Sequence, residues 1–214
     1  RRLVLLASSH ADEELELLRA WRAQELSAAL AAPVAWVLAP RHPQRASLLL
    51  GQMEALGSDG GGLAPIKAGL WSECTAGQGS GPDGERRWDL VVVDRLGAMG
   101  SWIAAAEVVV IGGSFYPQGR SHGGQNPLEA VALGKPVVCG PDMANFSDVT
   151  GALVEAGVLH PTTDADQACS LVRRLLEQGL AKGSAAAEPL LQGPSRTIAE
   201  LITEALAEAP AVAD

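Results

Sequence analysis

Paired cysteines, long apolar runs, surplus basic charge and a nucleophile motif are all wanting from this 214-residue chain. Each shortage excludes a class of function. The three cysteines, Cys74, Cys139 and Cys169, are odd in number and far apart, without metal-ligand spacing. They read as reduced thiols in a cytosolic setting. Lys and Arg number 16 against 25 Asp and Glu, a net charge of −9. That balance argues against a general nucleic-acid binder, whose affinity comes from cations on phosphates. It leaves room for a small anion held locally by one or two basic residues and backbone dipoles. The longest apolar runs, such as Val108 to Ile111, fall far short of the roughly 20 residues that cross a bilayer. No G-x-S-x-G elbow occurs, so hydrolase chemistry has no signature, and no internal repeat of fixed period is present. The chain has no initiator Met and no signal peptide, and runs from Arg1-Arg2 directly into Leu3-Val4-Leu5-Leu6. It reads as a soluble fragment cut at a domain boundary.

What is present is an alternation of apolar runs and helical periodicity, with 47% hydrophobic residues against 19% charged. Leu3 to Ala7, Pro33 to Leu38, Leu90 to Asp94, Val108 to Ile111 and Pro136 to Cys139 read as strands. Shorter strands are expected near Ala64 to Lys67 and at Val158-Leu159. Between them, Asp12-Glu13-Glu14 opens a helix whose acidic first turn suits the helix dipole. Further helices are expected over 44–56, 99–106, 126–133, 146–156, 164–178 and 194–207. The glycine-rich stretch 57–87 reads as long surface loops, and 184–187 as a low-complexity connection. The order predicts one doubly wound, Rossmann-like α/β domain over 1–214 with about six parallel strands. Its core spans 3–160, and carboxy-terminal helices cover 164–207.

Ligands in such sheets bind at the carboxyl ends of the strands. Topology gathers Ser9-His10, Arg41-His42, Asp94 to Gly97 and Gly112-Gly113-Ser114 there. Asn126-Pro127-Leu128-Glu129 has the pattern of a capping box. A Glu one turn into such a helix also suits both hydroxyls of a ribose, with the preceding N–H groups toward phosphate. Gly123 and Gly124 serve as turn residues or as points of close ligand approach. Arg41 offers a planar fork for phosphate or carboxylate, or is a solvated turn residue. His10, His42 and His122 sit on three separate loops without helical spacing, so metal binding is not expected. Glu13 and Glu14 read as a helix start.

In order, the chain carries Ser8-Ser9-His10 with Glu13-Glu14, Pro40-Arg41-His42-Pro43, Asp94-Arg95-Leu96-Gly97, Gly112-Gly113-Ser114 and His122-Gly123-Gly124-Gln125-Asn126-Pro127-Leu128-Glu129. Leu133-Gly134-Lys135-Pro136, Gly140-Pro141 and Asn145-Phe146 follow. This ordered set resembles the carboxy-terminal half of bacterial 3-deoxy-D-manno-octulosonic acid (Kdo) transferases, from about Leu3 to Leu159. The resemblance implies one half of a two-domain GT-B glycosyltransferase of lipopolysaccharide biosynthesis. The donor would be CMP-Kdo and the acceptor a lipid A precursor, with no required metal or other cofactor. On matching positions, Glu129 would hold the ribose and Leu96-Gly97 would face the base. Gly113, Ser114 and Asn126 would lie near phosphate and sugar, with Arg41 as charge partner. Ser9, His10, His42, His122, Gly123, Gly124 and Gln125 are secondary donor-binding candidates.

The catalytic base, acceptor site and membrane anchor would belong to an amino-terminal half outside this chain. The whole enzyme is then expected at the cytoplasmic face of the inner membrane, and this domain alone inactive. A UDP-sugar transferase domain and a non-catalytic nucleotide-binding module are the alternatives. Four positions depart from the family pattern: Asp12 in place of Gly, Ala98 in place of Glu, Gln125 in place of His, and the lengthened Gln118-Gly119-Arg120-Ser121.

Overall fold

The computed structural model describes residues 2–11, 13–27, 30–58, 66–75, 88–97, 99–115 and 119–178. Strand β1 (Arg2–Ser9) leads to helix α1 (Glu13–Ser27), then to β2 (Val34–Pro40) and, through a 3-10 turn at Pro43–Arg45, to α2 (Ala46–Ser58). After these come β3 (Ala68–Leu70), α3 (Trp71–Thr75), β4 (Leu90–Val92), α4 (Met99–Ala105) and β5 (Val108–Ile111). Helix α5 (Leu128–Ala132), β6 (Val137–Cys139), α6 (Ser147–Glu155), β7 (Leu159–Pro161) and α7 (Ala165–Gln178) complete the described part.

The strands lie in the order β3-β4-β2-β1-β5-β6-β7, every neighbouring pair parallel. This is the doubly wound architecture expected from the sequence, with seven strands among the described residues in place of about six. Alternate residues of each strand face opposite layers. Val4, Leu6, Leu38 and Val110 pack with Leu17 and Trp21 of α1, Met53 of α2 and Leu176 of α7. Leu5, Val37, Val109 and Val137 pack on the other face with Ile103 of α4, Val131 of α5 and Leu153 of α6. Both faces of the sheet are covered, which is why the strands read as unbroken apolar runs. A fully buried side chain such as Leu5 or Leu6 contributes about 1.5–3 kcal/mol.

Three expectations are corrected. The third strand lies at Ala68–Leu70, after the stretch 64–67. The Lys67 N–H is instead taken by the Asp89 carboxylate at 3.0 Å. Gly69 is central to this strand because a Cβ there would meet the Trp88 ring at 2.8 Å, a close approach that sequence pattern reads as loop. Helix α3 falls in a stretch read as loop. Helix α5 covers only Leu128–Ala132, shorter than 126–133. The Asn126 side chain accepts the Leu128 N–H at 3.0 Å, so the chain is still turning at Pro127. Asp12, Ala98, Gln118, the segment 184–187 and the helix expected over 194–207 lie outside the described residues.

Candidate functional site

Strand order reverses between β1 and β5. From β1 the chain steps to β2 on one side, and from β5 to β6 on the other. A crevice opens at the carboxyl ends of the strands at such a switch point. Here the two strand exits are pressed together. The Gly112 N–H donates to the Ala7 carbonyl at 2.8 Å, and a Cβ on Gly112 would meet Ser9 Cα at 2.5 Å and the Ser8 carbonyl carbon at 2.7 Å. Ser8 itself adopts φ 56°, uncommon for a non-glycine residue. The Ser114 hydroxyl is fully buried. It donates to the Ile111 carbonyl at 2.5 Å and accepts the Gly140 N–H at 2.7 Å. It therefore ties β5 to the β6 exit and does not face the crevice.

The loop from Gly119 to Pro127 folds back over these exits. Gly124 N–H donates to the Gly113 carbonyl at 2.8 Å and Gln125 N–H to the Gly112 carbonyl at 3.1 Å. Gly123 and Gly124 both have φ 73°, and added Cβ atoms would strike Asn145 at 2.6 Å and Met143 Sδ at 2.5 Å. Glycine is thus required here by conformation and by space alike. Asp142 clamps the loop by accepting Gly123 N–H at 2.9 Å, the Ser121 hydroxyl at 2.5 Å and Ala144 N–H at 3.3 Å. The Ser121 hydroxyl and these backbone N–H groups hold its carboxyl below the usual range, outweighing the opposing effect of burial.

A cavity of about 360 Å³ sits beside this loop, lined by Ser8, Arg41, Leu96, Gln125, Asn126 and Glu129 among others. Four of the primary candidates, Arg41, Leu96, Asn126 and Glu129, therefore converge, with Gly97 next to Leu96 at φ 93°. Leu96 is 81% exposed, an apolar side chain presented at the rim. Glu129 lines the cavity without closing a capping box, whereas Asn126 does bond the helix start. Helix α5 has five residues, and its first N–H is already occupied. The N–H groups of Gly112, Gly113, Gly123, Gly124 and Gln125 are taken as well. So short a helix offers little macrodipole, which leaves Arg41 as the fixed positive charge lining the cavity.

The three histidines also meet. His10 stacks on His122 with centroids 3.9 Å apart and 16° between planes, and lies edge-on to His42 at 6.4 Å. Stacked rings set their lone pairs side by side and not toward one point. Among the described residues no group of three or more His, Cys, Asp or Glu is placed to hold a metal ion. Burial pushes His10 down to about 4, with His122, His42, Arg45 and Arg41 adding to the effect. His10 is then neutral, and its Nε2 accepts from the Gln125 amide at 3.2 Å. Gln125 stands between the cavity and the histidines.

No protein-family model matches the chain. A 3-deoxy-D-manno-octulosonic acid transferase of Bordetella pertussis is 34% identical over 179 residues, covering 83% of this chain and 37% of that protein. One from Rickettsia conorii is 27% identical over 158 residues, 72% of this chain and 28% of that protein. In fold, the chain superposes on the C-terminal CMP-Kdo binding domain of WaaA from Acinetobacter baumannii with a TM-score of 0.72, 26% identity and 90% of each chain covered. The chain matches the carboxy-terminal domain of the Kdo transferases. It spans little more than a third of the Bordetella transferase.

In this Kdo-transferase-like domain, sequence reasoning missed Glu13, Glu14 and Arg45. Acidic residues that merely complement a helix dipole stay solvated, yet Glu13 and Glu14 are each 1% exposed. Glu14 accepts the Ser9 hydroxyl at 2.8 Å and takes the Arg45 guanidinium on both oxygens at 3.2 Å. Burial holds the Glu14 carboxyl above its ordinary range, and Arg45 pulls the other way. Glu13 accepts the N–H groups of His10 at 2.6 Å and Gly113 at 2.7 Å. Burial pushes it up to about 8 against those bonds. The available signal was position: two acids directly after the exit of β1, and an Arg one turn beyond His42-Pro43.

Proposed function

We propose that the chain is the donor-binding half of a two-domain GT-B glycosyltransferase that moves Kdo from CMP-Kdo to a lipid A precursor. The observation that carries this reading is the likeness, over 90% of both chains, to a domain described as binding CMP-Kdo. The cavity at the switch point supports it. Glu129 is the ribose acceptor, Leu96 and Gly97 border the base, and Arg41 faces the phosphate. Gln125 and His10 lie toward the sugar. When CMP departs, negative charge grows on its phosphate. Arg41 stabilises that charge most in the transition state. The base and acceptor site belong to the amino-terminal part of the whole enzyme, which acts at the cytoplasmic face of the inner membrane. Among the described residues no helix is long and apolar enough to cross a membrane.

Calorimetric titration of the chain with CMP and UMP, repeated on Glu129→Ala, tests this. CMP binding that disappears in the variant is expected. A preference for UMP would overturn the donor, and binding of neither would overturn the nucleotide site.

A further inference from the structure

We propose that Glu13 is the positioning residue of the donor site, its buried carboxyl fixing the His10 and Gly113 backbones so that Gln125 and His10 face the ligand's anionic end. This rests on the reading of the cavity as a nucleotide-sugar site, and adds to it a proton-linked control.

Hydrogen bonds form a closed ring through Glu13. Glu13 receives the His10 N–H at 2.6 Å and the Gly113 N–H on both oxygens, at 2.7 and 3.0 Å. The Gly112 and Gly113 carbonyls receive the N–H groups of Gln125 and Gly124 at 3.1 and 2.8 Å. The Gln125 amide closes the circuit on the His10 ring at 3.2 Å. Glu13, 1% exposed, therefore joins the backbone of the loop after β1 to the backbone of the loop after β5, across the switch point. Backbone N–H groups buried without their acceptor are costly, so the loops hold this separation only while the carboxyl is there.

The surroundings set a proton linkage. From its own helix Glu13 faces Glu14, a like charge already paired with Arg45 from the 3-10 turn. His10 follows β1, Arg41 and His42 follow β2, and His122 comes from the loop over β5. Burial lifts Glu13 to about 8. As pH rises through that value, a negative charge appears inside the ring, beneath the site meant for an anion. Anion binding weakens accordingly.

Two measurements decide it. In the ligand-free chain, the amide resonances of His10, Gly113 and the Gln125 side chain should titrate together near pH 8, and the titration should vanish in Glu13→Gln. Their independence of pH, or its persistence in Glu13→Gln, would overturn the ring. In titrations with CMP-Kdo, affinity should fall by about five- to tenfold between pH 7 and pH 9. Glu13→Gln should flatten that profile, its His and Arg neighbours being unchanged, and Glu13→Ala should weaken binding about tenfold or more. If Glu13→Ala does not fold, the Glu13→Gln profile carries the test. Wild-type-like pH dependence in Glu13→Gln overturns the proposal. If the wild-type chain does not bind CMP-Kdo while its amide titration is intact, the donor reading fails and the ring stands.

Discussion

Replacing Arg45 by Met should destabilise the domain far more than the loss of a surface ion pair. Glu14 is 1% exposed and keeps the Ser9 hydroxyl, at 2.8 Å, and its own backbone N–H, but no cation, once both guanidinium bonds of 3.2 Å are gone. Breaking a buried pair by removing one partner costs about 3–5 kcal/mol, about a fifth or more of a typical domain's stability. The sign of the pH dependence follows from the raised Glu14 carboxyl. A carboxyl raised in the folded state contributes stability that is fully present below its unfolded value and is lost as pH rises through the folded one. Without Arg45 the folded value rises further. The deficit of Arg45→Met should be larger at pH 7 and shrink toward pH ~3.5, where Glu14 is neutralised in both states. Urea unfolding followed by fluorescence of the buried Trp21 and Trp36 reads it directly. Adding Glu14→Gln to Arg45→Met should recover most of the loss. A deficit below about 1 kcal/mol at pH 7, or one equal at both pH values, would make this a solvated pair and refute the reasoning.

Glycine substitutions should separate by environment. Gly112→Ala drives a Cβ into backbone of Ser8 and Ser9 at 2.5–2.7 Å, and a loss of about 3 kcal/mol is expected in the same urea assay. Gly51→Ala, on α2 with nothing within 4 Å, should gain about 0.5–1 kcal/mol; equal effects at the two sites would contradict the packing described. Cys139 and Cys169 are buried, and burial pushes both thiols up to about 12. Neither should be alkylated by iodoacetamide at pH 8 until the domain is unfolded, as peptide mass mapping would reveal.

The elements most legible in the sequence are those whose pattern is generated locally. Leu90 to Val92 and Val108 to Ile111 are covered on both faces, so every position is apolar and the strand announces itself. The third strand is centred on Gly69, whose reason is a Trp88 ring 19 residues later in the chain, and pattern alone places it early. At the site, Arg41, Leu96, Asn126 and Glu129 were legible because topology brings strand exits to one edge. Ser114 shares that edge, but its hydroxyl turns inward to Ile111 and Gly140, a direction that residue type does not encode. Glu13 and Glu14 were illegible for the opposite reason. A helix start explains two acids so readily that nothing prompts a search for partners, and the Gly113 N–H lies 100 positions away.

Among the described residues the sheet's outer strands, β3 and β7, are three residues each, and β7 ends on Pro161. A free strand edge is a template on which a second chain can add, and its hazard grows with length and flatness. Edges this short, one of them closed by a residue that has no N–H to donate, offer few rungs to an intruding strand. Seven parallel strands are slow to assemble, since every pairing closes a long loop. Brief edges lower the chance that partly folded copies join one another in that interval.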